Sequence, residues 1–302
     1  MNTGLIFDIK KFAINDGPGI RMTVFFKGCN LQCKWCHNPE SMSPKVQKMY
    51  NAKKCIGAVK CIEICPNDAL EMTKEGIVTN YDICNLCGKC AEACPTKAFE
   101  MLGKDISIND LMKKIDNEAI FFDQSGGGVT FSGGEPLMHL EYLLKILKEC
   151  GKRMYHRVVD TTAFSKLETV LEVAKHTDLF LIDLKVMDSK IHRKFTGVSN
   201  EKILSNIVEL AKTKCELIFR IPLIKAVNTS KENIEETAKF INSLEGNRSL
   251  VNLLPYHNIA ENKHSKLGNL TDVIEFETPS EVEINNIISI FNNFGITATV
   301  GG

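Results

Sequence analysis

Three cysteines in the run Cys29-Asn-Leu-Gln-Cys33-Lys-Trp-Cys36 constrain this chain more than any other feature. Thiolates are soft ligands suited to iron–sulfur clusters, and three of them suit three irons of a 4Fe–4S cube. The fourth iron then has no protein ligand, as the metal of a catalytic site keeps an open position. A small molecule with an amine and a carboxylate can chelate that iron. The C-x3-C-x2-C spacing also differs from the C-x2-C-x2-C-x3-C run of an electron-transfer ferredoxin. The competing readings are a zinc site, or three cysteines unrelated in space.

The rest of the composition narrows the setting. Twelve cysteines, ten of them before residue 95, point to metal binding rather than disulfides in a chain without a secretory pattern. Cys150 and Cys215 stand alone and read as small buried residues at a helix end and a strand start. Lys and Arg number 37 against 37 Asp and Glu, which argues against a nucleic-acid or acidic-membrane footprint. No apolar run reaches membrane-spanning length and the N-terminus lacks a signal-peptide pattern, so a cytoplasmic location is expected. A chain of 302 residues can bury one large core or two.

Met22–Lys27 is β-prone and reads as a buried parallel strand, with the cysteine loop directly after it. Residues 50–102 differ in texture, with cysteines, short segments and Cys-Pro pairs. Beyond them strands and helices alternate. Strands are expected at Gly128–Ser132, Arg157–Thr161, Leu179–Leu184, Leu217–Pro222, Leu250–Leu254 and Thr297–Val300. Helices are expected at Leu137–Cys150, Lys166–Lys175, Ser199–Lys212, 230–244 and 280–293, with Asn200 or Ser199 as an N-cap. This alternation implies βα units and a parallel sheet, open or barrel-like, with chemistry at the carboxyl ends of strands.

The cysteine run, with Trp35 before its third cysteine, resembles the signature of radical S-adenosylmethionine enzymes. Asp16-Gly17-Pro18-Gly19-Ile20-Arg21 and Phe25-Phe26-Lys27-Gly28 resemble the glycyl-radical-enzyme activating enzymes. So do Ser125-Gly126-Gly127-Gly128-Val129-Thr130-Phe131-Ser132-Gly133-Gly134-Glu135, then Asp183-Leu184-Lys185, then Leu254-Pro255-Tyr256-His257. The resemblance runs from about residue 4 to the C-terminus, interrupted only by the cysteine-rich insert. It implies a partial (β/α)6 barrel over residues 1–49 and 103–302, with a ferredoxin-like two-cluster insert at 50–102. It also implies reductive cleavage of S-adenosylmethionine and use of the 5′-deoxyadenosyl radical to take hydrogen from a glycine of a partner glycyl radical enzyme. The rival readings are a radical enzyme acting on a small molecule and an electron-transfer iron–sulfur protein.

Within the insert, Cys84, Cys87, Cys90 and Cys94-Pro95 match the bacterial ferredoxin run. The partner run has Cys55, Cys61 and Cys65-Pro66, with Ala58 in place of its second cysteine. The ferredoxin rule assigns Cys84, Cys87, Cys90 and Cys65 to a 4Fe–4S cluster. Cys55, Cys61 and Cys94 are left for a second site, which is a 3Fe–4S cluster, a 4Fe–4S cluster with an outside ligand, or empty. A zinc-stapled unit is the alternative for the whole insert. The insert either relays electrons from a donor such as flavodoxin or ferredoxin, or serves structure and docking.

The remaining roles follow from the resemblance. Gly133, Gly134 and Glu135 are expected to meet the methionine ammonium, Trp35 and His37 to line the adenine side, and His257 to contact the cofactor. Asp183, Lys185 and Arg220 are expected to bind S-adenosylmethionine, and Asp160-Thr161 to hold a monovalent cation with Asp183. The chain reads Asp160-Thr161-Thr162-Ala163 where relatives often carry Asp-Thr-Asn-Gly. Asp16, Gly17, Pro18, Gly19 and Arg21 form a loop ahead of the first strand, expected to receive the partner's glycine loop. The plainer readings are packing for Trp35, a structural histidine for His257, a helix cap for Asp160 and an ordinary turn for the loop.

Overall fold

Apolar residues on alternate strand positions, joined by amphipathic helices, decide the architecture. The computed structural model describes residues 2–245, 248–257 and 275–301. In chain order the first strands are β1 (Thr3–Ala13), β2 (Arg21–Phe26), β3 (Gln47–Tyr50), β4 (Leu70–Thr73), β5 (Gly76–Thr79), β6 (Phe99–Leu102) and β7 (Lys104–Ser107). They are followed by β8 (Gly128–Gly133), β9 (His156–Thr161), β10 (Leu179–Asp183), β11 (Glu216–Leu223), β12 (Arg248–Pro255) and β13 (Ala298–Val300). Nine of these form one sheet in the order β13-β12-β11-β10-β9-β8-β2-β1-β7. From β2 and β8 through β13 every pairing is parallel, while β1 is antiparallel to both β2 and β7. The sheet does not close, since β13 and β7 are its edges.

Every expected strand and helix of the repeating half is present within two or three residues at each end. Val24, Val129, Phe131, Val159, Phe180, Ile182, Phe219, Ile221 and Leu253 point to one side of the sheet. There they meet Ile146 and Leu147 of helix Leu140–Lys152, Val170 of Leu167–Ala174, Ile207 of Glu201–Ala211, Ile234 of Lys231–Ser243 and Phe291 of Glu281–Asn293. Cys150 and Cys215 lie buried in this same core, as small apolar residues do. No described helix is long and apolar enough to cross a membrane.

Two sequence expectations need correction. The Asp16–Arg21 loop is not ahead of the first strand, because β1 precedes it. β1 escapes a reading by alternation because its second half is mostly exposed and charged. Asn200 is at the N-cap position, but its side chain does not cap the helix. Its Nδ2 donates to Val186 O (3.0 Å) and Met187 O (2.6 Å) instead, tying helix Glu201–Ala211 to the loop after β10.

Residues 47–102 carry two small antiparallel sheets, β3 with β6 and β4 with β5. β3 begins three residues ahead of the expected border at residue 50. Each feature of this segment recurs 29 positions later. Helix Lys60–Glu63 returns as Lys89–Glu92, each entered through a left-handed residue, Val59 or Gly88. Asn51 N–H donates to Ala98 O (2.8 Å) and Asn80 N–H to Ala69 O (2.9 Å). Ala69 N–H donates to Cys65 Sγ (3.3 Å) and Ala98 N–H to Cys94 Sγ (3.2 Å). The segment is thus two copies of one cysteine-bearing unit, each crossing over to pair with the other.

Candidate active site

The strand side that faces away from the helices is polar near its carboxyl end. Thr23, Thr130, Ser132, Asp160, Asp183 and Arg220 alternate with the core residues named above, so period-two geometry brings them to one face. Ser132 Oγ donates to Asp160 Oδ2 (2.7 Å), and Arg220 Nη1 reaches the same oxygen at 3.3 Å and Asp16 Oδ1 at 3.5 Å. Asp183 lies beside Arg220 in the β10–β11 register and pairs with Lys185 Nζ at 2.8 Å. Asp160 is therefore part of this network and not a helix cap; Lys166 occupies the N-cap position of helix Leu167–Ala174.

Charge in this wall is finely placed. Burial pushes the Asp160 carboxyl up to about 7, with Asp183 and Asp16 adding to the push and Arg220 and Ser132 opposing it. For Lys185 burial favours the neutral amine, but Asp183 and then Cys33 outweigh it and hold the ammonium. Burial pushes the thiols of Cys29 and Cys36 up to about 12, and that of Cys33 upward against the pull of Lys185. Cys29 and Cys36 each feel Cys33, so the three sulfurs share one pocket of electrostatic contact. Buried thiols beside an ammonium become thiolates when a metal takes the proton's place, and this donor set fits an iron–sulfur cluster.

The cysteine loop follows β2 and is pinned by its backbone. Gly28 N–H donates to Ser41 O (2.6 Å), Cys29 N–H to Met42 O (3.0 Å), Gln32 N–H to Thr196 O (2.7 Å) and Lys34 N–H to Phe195 O (2.9 Å). Lys27, fully buried, donates from Nζ to Glu40 O (2.5 Å) and Gln47 Oε1 (2.8 Å), joining this loop to β3. The sequence places Lys27 at the end of a buried strand but assigns its side chain no role. Trp35 is buried against Val186, Ile224 and Tyr256, with Phe195 and Phe276 around it. His37 lies 5.6 Å from the Tyr256 ring, centroid to centroid, and His257 is exposed at the end of β12.

Gly133, Gly134 and Glu135 close the end of β8 onto β2. Gly134 N–H donates to Phe26 O (2.8 Å) and Glu135 N–H to Gly28 O (2.9 Å). A Cβ on Gly134 would lie 2.1 Å from Gly28 O, so only glycine allows this approach. The Glu135 carboxylate is fully buried and accepts from Thr161 Oγ1 (2.5 Å), Thr162 Oγ1 (2.7 Å), Thr162 N (3.0 Å) and Leu137 N (3.2 Å). Its side chain is thus committed to the loop after β9. Thr161, on the core-facing register, spends its hydroxyl proton there. Thr162, which stands where relatives often carry asparagine, adds two of the four donors. Ala163 takes the left-handed backbone (φ 57°) that a glycine would adopt freely. Glu135→Gln turns an amide NH₂ toward groups that all donate. It is expected to cost on the order of 2–3 kcal/mol of stability in anaerobic urea titration, with Glu135→Ala no better.

The Asp16 loop is built into the sheet. Thr23 Oγ1 donates to Asp16 Oδ2 and Thr130 Oγ1 to Asp16 O, both at 2.7 Å. Arg21 is fully buried and donates to Thr130 Oγ1 (2.7 Å), Pro18 O (2.7 Å), Val129 O (3.0 Å) and His156 O (3.1 Å). Its guanidinium faces inward and holds the turn of Asp16, Gly17, Pro18 and Gly19 from behind.

In the cysteine-rich segment, Cys65, Cys84, Cys87 and Cys90 line one cavity with Lys48 and Leu70. Cys61 is pushed up by burial and then by Cys94 and Cys55, which places those three together on the other side of the repeat. Burial works against the Cys94 thiolate, but the N–H of Phe99, the Thr96 hydroxyl and the N–H of Ala98 outweigh it and draw the thiol down.

Residues 23–241 match the radical SAM superfamily model. The chain is 40% identical over 301 residues to the trans-4-hydroxy-L-proline dehydratase activating enzyme of Clostridioides difficile, covering 99% of each protein. It is 38% identical to the (2S)-3-sulfopropanediol dehydratase activating enzyme of Klebsiella oxytoca, over 99% of this chain and 97% of that one. A solved domain of a pyruvate-formate lyase-activating enzyme from Bacteroides vulgatus is 44% identical, with a TM-score of 0.51 over 58% of this chain and 99% of that domain. The chain therefore belongs to the radical SAM superfamily and, within it, to the activating enzymes of glycyl radical enzymes.

Proposed function

We propose that Cys29, Cys33 and Cys36 hold the cluster at which this activating enzyme works, and that Asp160, Asp183, Lys185 and Arg220 form the wall that binds S-adenosylmethionine. The observation that carries this is the meeting of the cysteine loop with Asp183 and Lys185 at the carboxyl end of β10. When bound, the cluster supplies the electron that splits the sulfonium into methionine and a 5′-deoxyadenosyl radical.

The protein's own residues bind, orient and exclude water. Lys185 offsets negative charge at Cys33 and is itself held by Asp183. Burial and the neighbouring Asp183 and Asp16 push the Asp160 carboxyl up, so a cationic ligand beside it, whether the substrate ammonium or a monovalent cation, favours its ionised form. Trp35 and Tyr256 form the apolar floor beside His37, and His257 closes that side from the end of β12. Gly133 and Gly134 let the backbone of β8 draw close to the cysteine loop, while Glu135 fixes the loop that carries Thr161. The Asp16–Gly19 turn receives the radical-bearing glycine loop of the partner, with Arg21 holding that turn in place.

The segment 47–102 is read as a ferredoxin-like insert that interrupts the partial barrel. Cys65, Cys84, Cys87 and Cys90 hold a 4Fe–4S cluster in the cavity that they line. The set Cys55, Cys61 and Cys94 lacks a fourth sulfur, since Ala58 stands 29 positions before Cys87. The donor is a reduced flavodoxin or ferredoxin, and the partner is one glycyl radical enzyme.

The test is anaerobic. Enzyme reconstituted with iron and sulfide is reduced with dithionite and given S-adenosylmethionine, and 5′-deoxyadenosine is quantified. A candidate partner is then added and its glycyl radical doublet sought by electron paramagnetic resonance. Product from the enzyme and a doublet in the partner are expected. A fully loaded, reduced enzyme that yields no 5′-deoxyadenosine would overturn the reading.

A further inference from the structure

Lys48 is a buried charge that the internal repeat of segment 47–102 does not reproduce. It sits on β3 and is only 5% exposed. Its Nζ lies 3.7 Å from Cys84 Sγ, 5.1 Å over the Phe99 ring and 5.7 Å over the Tyr81 ring. Among the described residues no carboxylate lies within ion-pair distance of it. It also lines the cavity shared by Cys65, Cys84, Cys87 and Cys90. Buried lysines are rare, and those that persist are normally paired. This one faces only sulfur and two aromatic faces, so its partner is whatever anion the four sulfurs hold.

The position 29 residues later is Ile77 on β5, equally buried at 5% exposure. One polar feature does match between the two halves. Each half aims one backbone N–H at the sulfur before its proline, at 3.3 Å for Cys65 and 3.2 Å for Cys94. The two sites therefore differ by the fourth cysteine, Ala58 standing at the place of Cys87, and by the buried positive charge of Lys48. Cluster potentials follow net charge, hydrogen bonds to sulfur and exposure. Reduction adds one electron to an already anionic cluster, and a cation close by in a low-dielectric setting favours the more negative state.

We propose that Lys48 raises the reduction potential of the cluster held by Cys65, Cys84, Cys87 and Cys90. This rests on the reading of the insert as a cluster-bearing domain. Lys48 is a positioning charge and not a ligand, since its ammonium has no lone pair.

The experiment is a dithionite titration with redox mediators, followed by electron paramagnetic resonance at low temperature. It uses the full chain in a Cys33→Ala background, so that the insert signal is read alone. Lys48→Met removes the charge and keeps the stem, and Lys48→Arg restores the charge. At the potential where the parent cluster is half reduced, Lys48→Met is expected to show a reduced-to-oxidised ratio lower by roughly tenfold or more. A tenfold change corresponds to about 59 mV for one electron. Lys48→Arg is expected to stay within about twofold of the parent.

Iron that disappears on Cys84→Ala identifies the cluster concerned. Absence of any such iron would overturn the reading of the insert and this proposal with it. Iron that depends on Cys84, with a Lys48→Met ratio unmoved, would overturn this proposal alone. If Lys48→Met fails to load iron, Lys48→Gln is titrated in its place. Loss of iron in both neutral variants, with circular dichroism unchanged, would assign Lys48 to cluster assembly and overturn the claim about potential.

Discussion

Cys33→Ala is expected to abolish 5′-deoxyadenosine formation, lowering it by roughly 10³-fold or more, about 4 kcal/mol of lost barrier reduction. The reason is local. Cys33 interacts with Lys185 and with both other cysteines, and without it only Cys29 and Cys36 remain to hold a cluster. Stability should change little, by about 1 kcal/mol or less, because a small thiol is lost. The loop is fixed independently of its cysteines by the bonds of Gln32 to Thr196, Lys34 to Phe195 and Gly28 to Ser41, and by Asn30 Nδ2 to Phe164 O (2.7 Å). A folded protein without product separates chemistry from structure. Product retained by Cys33→Ala would remove Cys33 from the cluster.

Cys84→Ala is the informative companion. With dithionite, which can reduce the catalytic cluster directly, product should persist. With reduced flavodoxin or ferredoxin as the donor, product should fall if the insert relays electrons. Equal product with both donors would leave the insert a structural or docking role. Lys27 makes coupling between the two regions physically plain, because its buried ammonium binds both Glu40 O and Gln47 Oε1. Gln47 in turn neighbours Lys48, which faces the insert cysteines.

Much of this was legible from the sequence, for identifiable reasons. Strands β8 to β12 could be read because both of their faces are built from alternating types, apolar toward the helices and apolar or polar toward the site. The cysteine spacing marked the repeat of the insert directly. What escaped was information that exists only in space. β1 and β7 run antiparallel and lie toward one edge, where exposed charged residues blur alternation. Glu135 read as a ligand contact, yet its four donors come from Leu137, Thr161 and Thr162, two of them 26 and 27 residues away. The side-chain roles of Lys48 and Lys27 escaped because burial of a lysine depends on partners that the neighbouring sequence does not reveal. Trp35 is packed among Val186, Ile224 and Tyr256, contacts that a sequence alone does not reveal.

Arg21→Met is expected to lower the unfolding free energy by on the order of 3–5 kcal/mol. Four acceptors now share one guanidinium: Thr130 on β8, the Val129 carbonyl beside it, His156 at the start of β9, and Pro18 in the turn. Burial draws the Arg21 pKa down to about 10, with Asp16 and Asp178 pulling the other way, so the charge persists at neutral pH. Removing it strands three carbonyls and a hydroxyl in a dry interior, each costing about 1–3 kcal/mol less whatever water can enter. Arg21→Lys should recover only part of this, because one ammonium cannot match a planar fork that reaches four sites. The measurement is anaerobic urea unfolding of both variants beside partner activation. If Arg21 served only to touch the partner, the midpoint would stay at the parental value while activation fell. A buried pin predicts that the two fall together. It also predicts that substitution of Pro18, the exposed residue of the turn, weakens activation with a smaller loss of stability. The shape of the turn proposed to meet the partner is thus set from inside the sheet, by a fully buried arginine.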